Sequence, residues 1–496
     1  MGARPLSRLS RRGLLRAAGG AAGAAALGGV ARPRTAAAAA GPRDRADPRD
    51  RPNVVLVVLD RMRARFPGRE TPNLDDLADD ALRFTRAIPD GTPSIPARNG
   101  LLTGMRTYPF RDWRATPPLP AIPGWNPVYD HQPLLTEVLE AAGVHVAWVS
   151  ANPLLRGPRF ERAVRRPAAP PPDAPGERGY LLPIRPGVVE RPSATAPAFE
   201  TGLSALEELA ALGEPFFLAI DAFDPGDVRA PVQLIVRGSQ LEEREVYVPG
   251  GPLPVRRVRI DPEDGRRDDV QERYAAAQRD ADRWLGRVLD RVAQRDLAGR
   301  TAVIVVSDGA MALGEQGIYG HPAGVGDARA FHVPFLLRDP RRRMAGDELA
   351  WFASTYDVAP TVLGLQGISI PGRMAGEDLT ASLDDEDVPA RATWTSAIDT
   401  MVMVGDGRHV MVADLALQDR RLYDADEIDD EDDPTDVEDV TREDPEVLDR
   451  LWREAAVAAG GTLPEFGAER VIPPRIPDDD DERRREREEG DDADAD

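Results

Sequence analysis

The chain contains no cysteine and no lysine. Without cysteine there can be no disulfide, so stability must come from core size or from a bound metal. Without lysine, every fixed side-chain cation is an arginine and no lysine can act in catalysis. Histidine is scarce, with five in 496 residues. A long apolar run is also missing. The stretch Ala17 to Val30 is short, glycine-rich and flanked by arginine, which argues against a membrane-spanning helix. Positive charge is in deficit. A formal net charge of -22 makes a nucleic acid partner a poor fit. What is present suffices for a large core: 42% of residues are hydrophobic, and a chain of this length buries most of its apolar surface.

The first residues carry a targeting pattern. Ser10-Arg11-Arg12-Gly13-Leu14-Leu15-Arg16 reads as a twin-arginine export motif, followed by the apolar run and by alanines at 36–40 that suit a cleavage site. Residues 1–40 are read as a signal peptide, which places the mature chain outside the cytoplasm: extracellular, periplasmic or in the cell envelope. Cleavage would remove seven arginines and no acid, leaving the mature chain more acidic still. Residues 41–52 read as a linker. Residues 476–496, with their Asp and Arg/Glu blocks, read as a solvated disordered tail.

Between these ends apolar strands alternate with helical patterns. Asn53 to Asp60 and Thr301 to Asp308 are continuous apolar runs, each ending in one aspartate. Such runs read as parallel strands buried on both faces. Residues 133–142, 206–212 and 274–294 are expected to be helical. Residues 144–149 and 215–220 are expected as strands. The rhythm implies a parallel sheet flanked by helices over residues 53–370. The proline- and arginine-rich stretch 157–196 reads as an irregular excursion, and residues 227–265 as a peripheral hairpin. After Pro371 the pattern changes to short strands at 393–396, 401–404, 409–412 and 421–423. A hairpin turn is expected at Asp406-Gly407 and a helix over 445–459. Residues 371–475 form this second part.

Open α/β sheets keep their ligands at the carboxyl ends of the strands. Asp60 and Asp308 are therefore candidates for one site, together with Ser94 and Arg98. Four segments carry a family resemblance: Thr71-Pro-Asn-Leu74, Ser94-Ile-Pro-Ala-Arg98, Leu101-Leu-Thr-Gly104, and Ser307-Asp308-Gly309 through Leu313-Gly-Glu-Gln-Gly317. With them the chain resembles the sulfatase family of the alkaline-phosphatase-like superfamily. Phe216 to Pro225, Val333-Pro334, Tyr356 to Leu363, Leu422-Tyr-Asp424 and Asp444 to Leu448 extend the resemblance over roughly residues 50 to 460. It implies an α/β fold: an alkaline-phosphatase-like, mostly parallel central sheet flanked by helices, plus a small C-terminal antiparallel subdomain. It also implies hydrolysis of sulfate esters, of arylsulfatase type. Such chemistry needs a divalent cation on the ester oxygens, a nucleophile held in line, and cationic donors for the developing charge.

On this resemblance Asp60 and Asp308 are metal positions for a divalent cation, calcium in most of the family. Ser94 holds the nucleophile position as a formylglycine precursor. Arg98 holds the nucleophile, and His321 stands where the family has a lysine. The substrate would be a sulfated or phosphorylated small molecule or glycan. Several positions depart from the family. Arg61 replaces a carboxylate, Gly309 replaces a His or Asn ligand, Gly226 follows Asp224-Pro225, and Leu154 replaces a histidine. Two carboxylates beside an arginine should hold calcium weakly. Glu315 and Asp224 are candidate replacement ligands; His131, His145, His332 and His409 are read as structural. Two alternatives to sulfate ester hydrolysis stay open: a non-catalytic sulfatase-like binding protein, and a phosphohydrolase using the serine directly.

Overall fold

The computed structural model describes residues 48–465, apart from 67, 93, 111–112, 114–122, 153–154, 156–158, 160–163, 166–194, 224–231, 238–239, 246–257, 260–265, 296, 386–387, 389, 417–418 and 425–437. The residues read as an export signal, most of those read as a linker, nearly all of the 157–196 stretch and the residues read as a charged tail lie outside the described residues.

The strands in chain order are β1 (Asn53–Leu59), β2 (Leu82–Phe84), β3 (His145–Ser150), β4 (Val164–Arg165), β5 (Phe216–Asp221), β6 (Val232–Arg237), β7 (Gln240–Glu245), β8 (Val258–Arg259) and β9 (Thr301–Ser307). They continue with β10 (Ala312–Leu313), β11 (Ile318–Gly320), β12 (Phe335–Arg338), β13 (Glu348–Leu349), β14 (Trp394–Ile398), β15 (Met401–Gly405), β16 (His409–Asp414), β17 (Asp419–Asp424) and β18 (Glu438–Asp439). Eight of them form one sheet in the order β13-β2-β12-β9-β1-β5-β3-β4. β9, β1, β5, β3 and β4 run parallel to one another. β12 is antiparallel to β9 and to β2.

The unbroken apolar runs have a direct cause. Every residue of β1 and β9 is buried, because helices cover both faces of the sheet. Val54, Leu56 and Val58 pack with Leu101, Leu135 and Val362 on one side. Val55, Val57 and Leu59 pack with Leu74, Leu206 and Leu285 on the other. These contacts come from helices Ile95–Thr103, Leu135–Ala141 and Val358–Leu365 on the first side, and from Pro72–Asp79, Ala196–Leu212 and Arg266–Gln294 on the second. Each fully buried Val or Leu contributes about 1.5–3 kcal/mol of transfer free energy. No alternation of polar residues is therefore tolerated along β1.

Thr71-Pro-Asn-Leu74 is a helix start. Pro72 fills the first helical turn, where its missing N–H costs nothing. The free amides of Asn73 and Leu74 are satisfied from a distance by the Asp282 carboxylate, at 3.2 and 2.8 Å. The motif thus anchors one helix to another across the second layer.

The C-terminal part is a five-stranded antiparallel sheet, β14-β15-β16-β17-β18. Asp406-Gly407 lies between β15 and β16, with Gly407 at φ 99°, a conformation that favours glycine. Helix Pro445–Ala458 covers this sheet, burying Leu448, Leu451 and Ala455 against Val402, Met411 and Leu422. β14 also reaches the main sheet's loops: Ala397 exchanges backbone hydrogen bonds with Asp90 (3.0 Å) and Thr92 (3.1 Å). The antiparallel sheet therefore braces the segment leading into Ser94. The expected hairpin within 227–265 is present as the antiparallel pair β6-β7.

Candidate active site

Three adjacent parallel strands end in aspartate at the same edge. Register pairs Leu59 with Ser307 and Val58 with Asp221. Asp60, Asp308 and Asp221 therefore leave the sheet side by side, at the carboxyl edge where ligands bind in open α/β sheets.

Ser94 sits at the N-terminus of helix Ile95–Thr103 with φ 57° and ψ -89°. A side chain is costly there; backbone conformations of this kind cost on the order of 1–3 kcal/mol and persist where the surroundings over-determine them. The strain fixes the direction of Oγ. Asn152 Nδ2 donates to Ser94 Oγ at 2.8 Å, and Arg98 Nη1 donates at 3.3 Å.

Arg98 lies one helical turn below, fully buried. Its Nε donates to Asp221 at 2.8 and 3.1 Å. Its Nη1 donates to Asp308 Oδ2 and to the Ser94 carbonyl. Its Nη2 donates to the Ala222 carbonyl at 3.3 Å, lies 2.8 Å from Asp221 and is 3.6 Å from Asp60 Oδ1. The Phe223 ring packs 5.5 Å from the guanidinium carbon. Although burial opposes the charge, Asp221, Asp308 and Asp60 hold this arginine firmly protonated. Burial also pushes the Asp308 carboxyl up to about 6, against the opposing pull of Arg98.

The remaining carboxylate oxygens are engaged as well. Asp308 Oδ1 accepts from the Arg61 amide at 2.8 Å. Asp60 Oδ2 accepts from Arg61 Nε at 3.1 Å. Asp221 Oδ2 accepts from Ser150 Oγ at 2.6 Å. The loop carrying Arg61, itself at φ 51°, is clamped from outside. Tyr274 Oη donates to the Arg61 carbonyl at 2.7 Å and accepts from the Arg63 amide at 2.8 Å.

The structure thus brings together Asp60, Ser94, Arg98 and Asp308. His321 is buried immediately after β11. Glu315 pairs with Arg63 at 2.5 Å and accepts from the Leu313 amide. Asp224, Pro225, Gly226 and Leu154 lie outside the described residues. Sequence reasoning missed Asp221, Asn152, Ser150 and Tyr274. Only Asp221 carried a usable signal, since it too ends an apolar strand.

The family's divalent cation needs six or more oxygen ligands if it is calcium. The donor set here does not suit one. Asp60, Asp221 and Asp308 already face guanidinium groups. At Gly309, where the family's fourth ligand would stand, an added Cβ would lie 2.7 Å from Thr92 Oγ1, so a side chain there requires Thr92 to shift.

Comparison with known proteins agrees with this geometry at the level of fold and family. The sulfatase family model matches residues 52–220 and 236–368, more than half of the chain. A multifunctional alkaline phosphatase superfamily protein of Trinickia caryophylli is 25% identical over 418 residues, 66% of this chain and 76% of that protein. Human iduronate 2-sulfatase is 23% identical over 397 residues, 65% of this chain and 70% of its own. The phosphonate monoester hydrolase structure from Agrobacterium radiobacter superposes with a TM-score of 0.60 at 18% identity, covering 86% of this chain and all of that one. The chain belongs to the sulfatase family.

Proposed function

We propose that this protein hydrolyses sulfate monoesters, on a sulfated glycan or small molecule, with Ser94 at the reacting centre. The observation that carries the reading is the convergence on Ser94 Oγ. A strained backbone aims the hydroxyl, and two donors, Asn152 and Arg98, hold its oxygen. Donors of this kind stabilise negative charge on oxygen. They would equally hold a hydroxyl of formylglycine hydrate, the form this family makes at the position. Human iduronate 2-sulfatase, a relative named for a sulfated sugar acid, supports the sulfated substrate class.

Charge favours sulfate over phosphate. Three carboxylates against two guanidiniums leave the cluster of Asp60, Asp221, Asp308, Arg61 and Arg98 net negative. A sulfate monoester brings one negative charge, whereas a phosphate monoester brings about 1.5 to 2 at neutral pH. Without a divalent cation, the singly charged ester enters against less repulsion. We also propose that the twin-arginine pattern of residues 1–40 directs export, since an enzyme of external sulfated glycans works outside the cell.

One observation favours a second reading, a non-catalytic binder of sulfated glycans: the guanidinium of Arg98 is already saturated by protein groups. A single pair of measurements separates the two. Turnover of an aryl sulfate faster than of the matching aryl phosphate supports hydrolysis. Mass spectrometry of the peptide carrying Ser94 through Arg98 then shows whether two hydrogens have been lost. Binding of a sulfated glycan with no turnover of either ester would favour the binder.

A further inference from the structure

We infer that Arg98 is a tethered cation that fills the carboxylate cage of Asp60, Asp221 and Asp308, so that the pocket takes up no divalent metal. The inference is independent of whether the site turns over an ester.

The cage itself is suited to a cation. Three carboxylates leave adjacent strands at one edge, and all three point at one buried group. Such a cluster without a cation would be strongly unfavourable in a dry interior. The guanidinium meets the need through its geometry. Its planar fork presents five N–H donors. Here they meet Asp221, Asp308, the Ser94 carbonyl and hydroxyl, and the Ala222 carbonyl, with Asp60 at 3.6 Å.

Three features keep a metal from displacing it. Arg98 is fully buried, with Phe223 packed 5.5 Å from its guanidinium carbon. The carboxylates are also held by other donors: the Arg61 amide on Asp308 Oδ1, Arg61 Nε on Asp60 Oδ2, and Ser150 Oγ on Asp221 Oδ2. Arg61 adds a second fixed positive charge beside Asp60, which a divalent ion would have to approach.

The test uses the unaltered full-length protein and an Arg98→Met variant, with calcium chloride, manganese chloride and EDTA as probes. The unaltered protein should carry far less than one equivalent of any divalent metal by elemental mass spectrometry. Its melting temperature should not move with millimolar calcium, manganese or EDTA, since only an ion that binds the folded state would raise it. Arg98→Met keeps the length but removes the charge. That variant should melt lower and recover by several degrees on adding calcium. Stoichiometric metal surviving EDTA dialysis, or a melting temperature that EDTA lowers in the unaltered protein, would overturn the inference. A folded Arg98→Met protein indifferent to both cations would overturn it too, because the carboxylates would then form no cage. If the variant fails to fold, the metal content and EDTA response of the unaltered protein decide the matter alone.

Discussion

Two buried arginine clusters sit in this molecule, and they are built differently. In the first, Asp60, Asp221 and Asp308 converge on one fully buried guanidinium, Arg98, and that guanidinium also touches a serine hydroxyl. In the second, Arg391 forks onto Asp357 through two nitrogens, at 2.6 and 2.5 Å. Asp357 also accepts from the backbone amides of Ser354 and Glu377. Tyr356 lies between Arg391 and Arg106, with ring distances of 4.8 and 5.5 Å, while Arg106 bonds Asp90. Both Arg98 and Arg391 are held protonated by their carboxylates against the cost of burial. Protonation therefore does not separate the two clusters. Two other features do. The Arg391 cluster spends its carboxylate oxygens on backbone amides, which closes loops. The Arg98 cluster gathers three strand ends onto one cation and leaves Ser94 in a strained conformation with donors aimed at its oxygen.

The largest effect should separate the clusters outright. Removing one partner of a buried ion pair costs about 3–5 kcal/mol because the other charge is stranded. Arg98→Met strands three carboxylates and should cost at least that much in denaturant unfolding, with loss of ester turnover. Arg391→Met should cost less, since Asp357 keeps its backbone donors and Arg391 is partly solvated. Its folded fraction should keep turnover within a few-fold of the unaltered protein. Equal loss of turnover in both variants would show that the second cluster is not merely a brace.

Next in size is an attempt to rebuild a metal site. Arg61→Asp with Gly309→His restores the family's ligand types, but the new Cβ meets Thr92 Oγ1 at 2.7 Å. Overpacking of this kind costs about 1–3 kcal/mol. The double variant should be destabilised and only weakly calcium-responsive. Adding Thr92→Ala should relieve the clash and raise the calcium-dependent shift in melting temperature. If the third change makes no difference, the loop around Thr92 yields more easily than its packing implies.

How much of this was readable in the chain follows from the physics of each segment. β1 and β9 were legible because burial on both faces forces an unbroken apolar run, and the run stops where the carboxylate begins. The antiparallel C-terminal strands and the Asp406-Gly407 turn were legible for similar local reasons. Helix Ala196–Leu212 was expected only from 206, because the proline-rich stretch before it obscured a start in which Pro197 fills the first turn. Helix Arg266–Gln294 was expected from 274, since Arg266 to Gln271 show no apolar stripe. In the site, the motif residues were found, but their pairing was not. Asn152 and Ser150 end a strand more than fifty residues from Ser94, and Tyr274 reaches Arg61 from a helix more than two hundred residues away. No local pattern encodes such contacts. The saturation of Arg98 is likewise a property of convergence, invisible to spacing.

The strain at Ser94 gives a smaller effect, read as a difference between two variants that both lose Oγ. Glycine adopts positive φ without a Cβ penalty, although it loses more backbone entropy on folding. Ser94→Gly should therefore be more stable than Ser94→Ala by about 1 kcal/mol, within the range such strain releases. It should abolish turnover by removing Oγ. Ser94→Ala removes the same oxygen and keeps the strain, so it should not share the gain. Equal melting temperatures for the two variants would mean that the backbone at 94 is not held under load by its neighbours.

The last comparison concerns pH and the carboxylate at the centre of the first cluster. Burial raises Asp308 to about 6 in the folded protein, with Arg98 and the Arg61 amide pulling the other way. An unfolded aspartate titrates near 3.9. Between about pH 4 and 6 the folded chain therefore holds a proton at Asp308 that the unfolded chain has lost. Stability rises with pH only where the unfolded state binds more protons, so this group makes stability fall as pH rises through that window. Above about pH 6 the contribution is constant. The measurable quantity is a difference: the unaltered protein's unfolding free energy minus that of Asp308→Asn, followed from pH 4 to 7. It should fall through the window and then level off. A difference that rises instead would mean that Arg98 outweighs burial and holds Asp308 ionised well below the usual carboxylate range. The cluster would then be a fixed ion pair like Arg391 and Asp357, with no titrating member.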